Sequence, residues 1–177
     1  MKMLCILAVT ALVCAGCNKP STEELSAKAR EALEAKNYSL AIEHYTRIVQ
    51  DYPESAAAES SMFVIGSIRS NDTHEYVEAI NAYRSYLGRY PDGNRAAEAM
   101  FLIGYIYNNE LHALDSAAQA YRMFLAAYPN HPMAQSAQFE LDNLGKSPED
   151  LLPKDVVAER PVPRDSRAGI RQREAKK

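Results

Sequence analysis

Few residues in this 177-residue chain are of types that do covalent or metal chemistry, and their spacing argues against catalysis. The histidines are His44, His74, His112 and His131; His74 and His112 stand 38 residues apart, the spacing of equivalent positions in successive repeats rather than of two ligands in one site. No H-E-x-x-H, G-x-S-x-G or phosphate-cradling glycine loop occurs, and the acidic residues are scattered as they are on solvated helix faces. The cysteines are Cys5, Cys14 and Cys17, all near the start, and Cys17 directly follows the small residues Ala15 and Gly16. Cleavage before Cys17 removes Cys5 and Cys14, which leaves no thiol pair for a disulfide, a zinc site or thiol catalysis. The expectation is therefore no catalytic residue, no metal and no cofactor.

The elements that carry the rest are repeats. Tyr52-Pro53, Tyr90-Pro91 and Tyr128-Pro129 recur at a step of 38, and so do Ala41-Tyr45, Ala79-Tyr83 and Ala117-Tyr121. Two series in one register, at a period between 20 and 50, signal helix pairs that stack to share a core. Small residues let two helices approach, the aromatic fills the angle between them, and proline ends the second helix. First helices are expected at 23–36, 55–70 and 95–108, and second helices at 39–51, 75–89 and 115–127. A last helix at 132–144 carries Asp142 where Gly66 and Gly104 stand earlier, as suits a polar cap. Ser21 or Thr22 is placed to cap the first helix, with Glu23 or Glu24 early in it.

Spacing within each unit resembles that of the tetratricopeptide repeat from about residue 22 to 145. The first-helix signature is met by Met62, Ile65 and Gly66 and by Met100, Ile103, Gly104 and Tyr107. The second-helix signature is met by Ala41-Tyr45-Ile48-Pro53, Ala79-Tyr83-Tyr86-Pro91 and Ala117-Tyr121-Phe124-Pro129. The departures are a period of 38 instead of 34, and a weak first unit with Lys28 where leucine is expected and Ala29 in the glycine position. The implied fold is an all-α solenoid of three helix-pair repeats and a capping helix.

The flanks differ in character. Lys2 followed by an apolar run to Val13 is too short to span a bilayer and reads as a targeting segment. Cys14-Ala15-Gly16-Cys17 resembles the bacterial lipobox, with Cys14 in place of the usual leucine; the alternative is an ordinary cleaved signal peptide. On the lipobox reading residues 1–16 are a signal peptide, Cys17 is lipidated, 17–22 form a polar tether, and 23–145 are the repeat domain. Asn18 in place of aspartate implies outer-membrane sorting, with the body facing the periplasm. Residues 146–177 hold four prolines and no apolar periodicity, and are expected to be a disordered tail. From Arg160 this tail carries seven basic and two acidic residues, a net +5; it reads as a solvated segment or as an arm for an anionic surface. The chain as a whole has a net charge of −3 and lacks a basic aromatic groove, so no nucleic-acid partner is expected.

The lipobox together with Tyr90-Pro91, Ala96 and Ala99-Met100-Phe101 makes the chain similar to the BamD-like β-barrel assembly lipoproteins, which have more repeats than the three and a cap read here. That resemblance implies a membrane-anchored scaffold for protein or peptide partners in the cell envelope. The repeat proteins that coordinate division with the Tol–Pal system, and a lineage-specific envelope adaptor, remain alternatives. Carried over from the tetratricopeptide groove, the partner-binding residues are Phe63, Ser67, Glu98, Phe101, Tyr105, Asn108, Asn109, Phe139 and Asn143. Phe63, Phe101 and Phe139 recur at 38 residues, either as a ladder facing a partner or as packing between helices. Unit two offers only serine where the family's carboxylate clamp uses lysine and asparagine, so that clamp is not expected.

Overall fold

The computed structural model describes residues 19–146; the expected signal peptide, Cys17 and the tail from residue 147 lie outside the described residues. Among the described residues the chain is all-α, as the 38-residue repeats predict. The helices are α1 (Thr22–Glu34), α2 (Tyr38–Asp51), α3 (Ala56–Asn71), α4 (Tyr76–Arg89), α5 (Ala96–Tyr105), α6 (Leu114–Ala127) and α7 (Ala134–Asp142). A π-helical turn, Ile106–Glu110, extends α5. The chain divides into two units, residues 1–100 and 101–177.

In the N-terminal unit α1 packs on α2, α2 on α3 and α3 on α4. Ser21 starts α1 through a capping box: its hydroxyl accepts from the Glu24 N–H, and the Glu24 carboxylate accepts from the Ser21 N–H. The core of the first pair is Leu25, Ala29 and Ala32 against Ala41, Tyr45 and Ile48, all buried. In the second pair Tyr83 lies across Gly66 so closely that a Cβ on Gly66 would stand 2.7 Å from Tyr83 Cε1. The C-terminal unit repeats the contact, with a Cβ on Gly104 falling 2.8 Å from Tyr121 Cδ1 and Cε1. Glycine is required at both positions by this close approach, and the helical pairing of small residue and aromatic is the repeat signature made physical. In the same unit α6 also packs on α7 and on the π-helical turn.

A further series at a step of 38 lies in the backbone conformation. Lys36, His74 and His112 each take a left-handed φ, of 55°, 56° and 50°, where a first helix turns into a second. The turns also explain why the first unit looks irregular in sequence. After α1 the Asn37 N–H bonds the Ala32 carbonyl, five residues back. After α3 and α5 the Glu75 and Ala113 N–H groups reach the Arg69 and Tyr107 carbonyls, six residues back. The later units thus absorb one extra residue in a widened last turn, while in the first unit Ala29 takes the buried small-residue position and Lys28 is exposed.

Left-handed φ costs a non-glycine residue about 1–2 kcal/mol, partly offset in glycine by its greater unfolded entropy. Lys36→Gly is therefore expected to stabilise the protein by about 0.5–1 kcal/mol, read as a higher midpoint in urea unfolding. An unchanged or lower midpoint would contradict that balance.

The buried tyrosines set an alkaline limit on stability. Burial pushes the Tyr83 phenol up from 10.0 to about 12, and burial likewise raises Tyr121. Between those values the unfolded chain has released the Tyr83 proton while the folded chain still holds it, so stability present below pH 10 is lost as pH rises toward 12. One such tyrosine steepens the fall by up to about 1.4 kcal/mol per pH unit. Urea unfolding across pH 9–12 is expected to show this slope, shallower in Tyr83→Phe; identical slopes in the two proteins would contradict it.

Candidate functional site

The residues expected to line a partner groove do not share one fate. Phe63 is 2 % exposed, with its ring 5.3 Å from Tyr83 and 5.8 Å from Tyr86. Its outer face is covered by the Arg95 guanidinium, 3.6 Å from the ring centroid. Phe63 is thus a core residue and is withdrawn from the partner-binding set. Phe101 repeats the arrangement at half-exposure, with its ring 5.6 Å from Tyr121 and 5.9 Å from Phe124. Phe139 differs: it is 56 % exposed. The physical reason is the helix that follows. The α4 and α6 aromatics cover Phe63 and Phe101, whereas no helix follows α7 among the described residues.

In the N-terminal unit the polar candidates are engaged. The Ser67 hydroxyl pairs with Tyr83 and accepts from Asn71 Nδ2 at 3.2 Å. Glu98 takes both donors of Arg95, Nε and Nη2, each at 2.8 Å. A bidentate ion pair of this kind fixes the guanidinium flat above Phe63. Arg95 was not singled out from the sequence, since nothing in its neighbourhood marks an arginine that stacks on a residue 32 positions earlier.

The C-terminal unit presents a mixed face. Tyr105, 42 % exposed, ends α5 where the π-helical turn begins, and π turns are frequent at functional positions. Asn108, in that turn, donates from Nδ2 to Glu140 Oε2 on α7 at 3.1 Å. Glu140 and Phe139 belong to an open cleft completed by Pro132, Gln135 and Ser136. Asn109 and Asn143 are on the same helix ends but spend their amides locally, donating to the Tyr105 and Phe139 carbonyls at 3.1 and 2.7 Å. Glu140 was not marked by the repeat pattern, because it acts by pairing across helices with Asn108. What this face offers is two exposed aromatic rings beside an amide–carboxylate pair, a pattern suited to apolar side chains and backbone amides of a protein partner. Among the described residues no three His, Cys, Asp or Glu side chains converge as a metal site would need.

Beneath this face the Tyr121 hydroxyl is buried with no hydrogen-bond partner among the described residues. Leaving a buried hydroxyl unpaired costs about 1–3 kcal/mol. Tyr121→Phe is therefore expected to be neutral or up to about 1 kcal/mol stabilising in denaturant titration. A clear loss of stability would mean that the hydroxyl has a partner.

No helix among the described residues is long and apolar enough to cross a membrane. No curated protein matches the chain. The outer membrane lipoprotein family YfiO matches residues 18–147, a span that takes in every helix described above and well over half of the 177 residues. On that match the chain belongs to the outer membrane lipoprotein family YfiO.

Proposed function

We propose that this protein is a non-catalytic scaffold of the cell envelope, anchored to the outer membrane through a lipid on Cys17 and facing the periplasm, that holds protein or peptide partners during outer-membrane protein assembly. The observation that carries the reading is the family match across the repeat region. The organisation that goes with it is a signal peptide at 1–16, a lipidated Cys17, and helix-pair repeats between 23 and 145. Tyr105, Asn108, Phe139 and Glu140 supply the partner-binding face, with Phe101 half-covered at its base. Ser67, Glu98, Asn109 and Asn143 support that role less directly, because their polar groups are held within the fold. The test is crosslinking of native membranes followed by purification of the protein and identification of what comes with it. Barrel-assembly subunits or unfolded barrel proteins are expected. Recovery of Tol–Pal or wall-synthesis proteins in their place would replace this reading with that of a division coordinator.

A further inference from the structure

The chain entering the fold is tied down rather than free. Lys19 Nζ donates to the Asp51 carbonyl at 2.7 Å, lies 3.4 Å from Asp51 Oδ1, and sits 4.6 Å from the centroid of the Tyr52 ring. The Tyr52 hydroxyl donates to the Pro20 carbonyl at 2.7 Å. One repeat later the same device recurs: the Tyr90 hydroxyl donates to the Pro53 carbonyl at 3.1 Å, with the Arg89 guanidinium 5.7 Å from the Tyr90 ring. Pro20 thus stands toward Tyr52 as Pro53 stands toward Tyr90, and the entering chain is bound as though it were the turn of a preceding repeat. A lone exposed ion pair would contribute little, but here four contacts hold two consecutive residues.

Cys17 precedes Lys19 by two residues, so covalent geometry keeps their Cα atoms within about 7 Å. A free tether over 17–22 would instead reach about 20 Å. We propose that this clamp seats the end of α2 and the turn after it, with Lys19, Arg47, Tyr52 and Arg89, against the phospholipid headgroups, so that the N-terminal unit stands on the membrane in one orientation. The proposal rests on the reading of Cys17 as the lipidated residue. Three cations, Lys19, Arg47 and Arg89, outnumber the Asp51 and Glu54 carboxylates they pair with, and with the amphipathic Tyr52 this net positive surface suits an anionic headgroup layer. The opposite end of the pair, where α1 gives way to α2, is then about 20 Å further out, the length of α1 at 1.5 Å per residue.

The test uses lipidated protein purified from membranes and reconstituted in vesicles of phosphatidylethanolamine and phosphatidylglycerol that include a phosphatidylcholine with a nitroxide on its headgroup. With Cys5 and Cys14 removed and Cys17 alkylated, a cysteine introduced as Glu54→Cys or as Ser39→Cys takes a fluorophore at that position alone. Several-fold stronger quenching is expected at position 54 than at 39, and the ratio is expected to fall toward one when Lys19→Ala and Tyr52→Phe are added. Membrane-bound protein with equal quenching at both positions would overturn the orientation, and a ratio that survives the double change would overturn the clamp as its cause, in either case leaving the anchor intact. Protein that does not float with the vesicles, with or without Cys17→Ser, would remove the anchor and the proposal with it.

Discussion

Tyr83→Ala is expected to cost about 3–5 kcal/mol, the range for deleting a large buried aromatic. The ring is 1 % exposed, lies over Gly66, packs 5.3 Å from Phe63 and pairs its hydroxyl with Ser67. Collapse cannot refill the space, because Gly66 has no side chain to move in and Phe63 is held from its other face by Arg95 at 3.6 Å. Domains of this size have only about 5–15 kcal/mol in hand, so roughly a fifth or more of the total goes with one residue. Circular dichroism during urea unfolding measures it directly. A loss under about 1 kcal/mol would mean that the stacked aromatic is not what holds α3 to α4.

The other large effect concerns location. Cys17→Ser removes the thiol that a diacylglyceryl group would alkylate, and with it the acylated amino-terminus that cleavage creates. A single acyl chain binds membranes only marginally, whereas a lipobox cysteine gains several, so their joint loss shifts partition almost wholly to the aqueous side. No described helix offers a substitute span. The expected result is recovery of the variant in the soluble fraction of the envelope, with unchanged helix content. Membrane retention of the serine variant would contradict lipidation at this position.

Helix order was legible because two 38-residue series repeat the packing rule itself: a small residue facing an aromatic four positions beyond an alanine. Gly66 with Tyr83 and Gly104 with Tyr121 follow from it directly. What could not be read depends on neighbours supplied by other elements. Phe63 and Phe139 are identical in the repeat pattern, yet one is covered by α4 and the other is exposed, because cover comes from a helix that follows. The left-handed turns at Lys36, His74 and His112 were hidden because none is glycine. The single-residue slip of the first unit registered only as a weak match, since its cause is a backbone turn one residue shorter. Asn109 and Asn143 looked like free amides but serve their own helices.

The most direct test of the scaffold reading is site-specific photocrosslinking in living cells, with a photoreactive residue in place of Tyr105 or Phe139 and, as a control, of Val77, which is 56 % exposed in the N-terminal unit. Adducts with outer-membrane assembly proteins at Tyr105 and Phe139, and none at Val77, are the predicted result. No adduct at either position, or equal labelling at all three, would contradict the assignment of this face to partner binding.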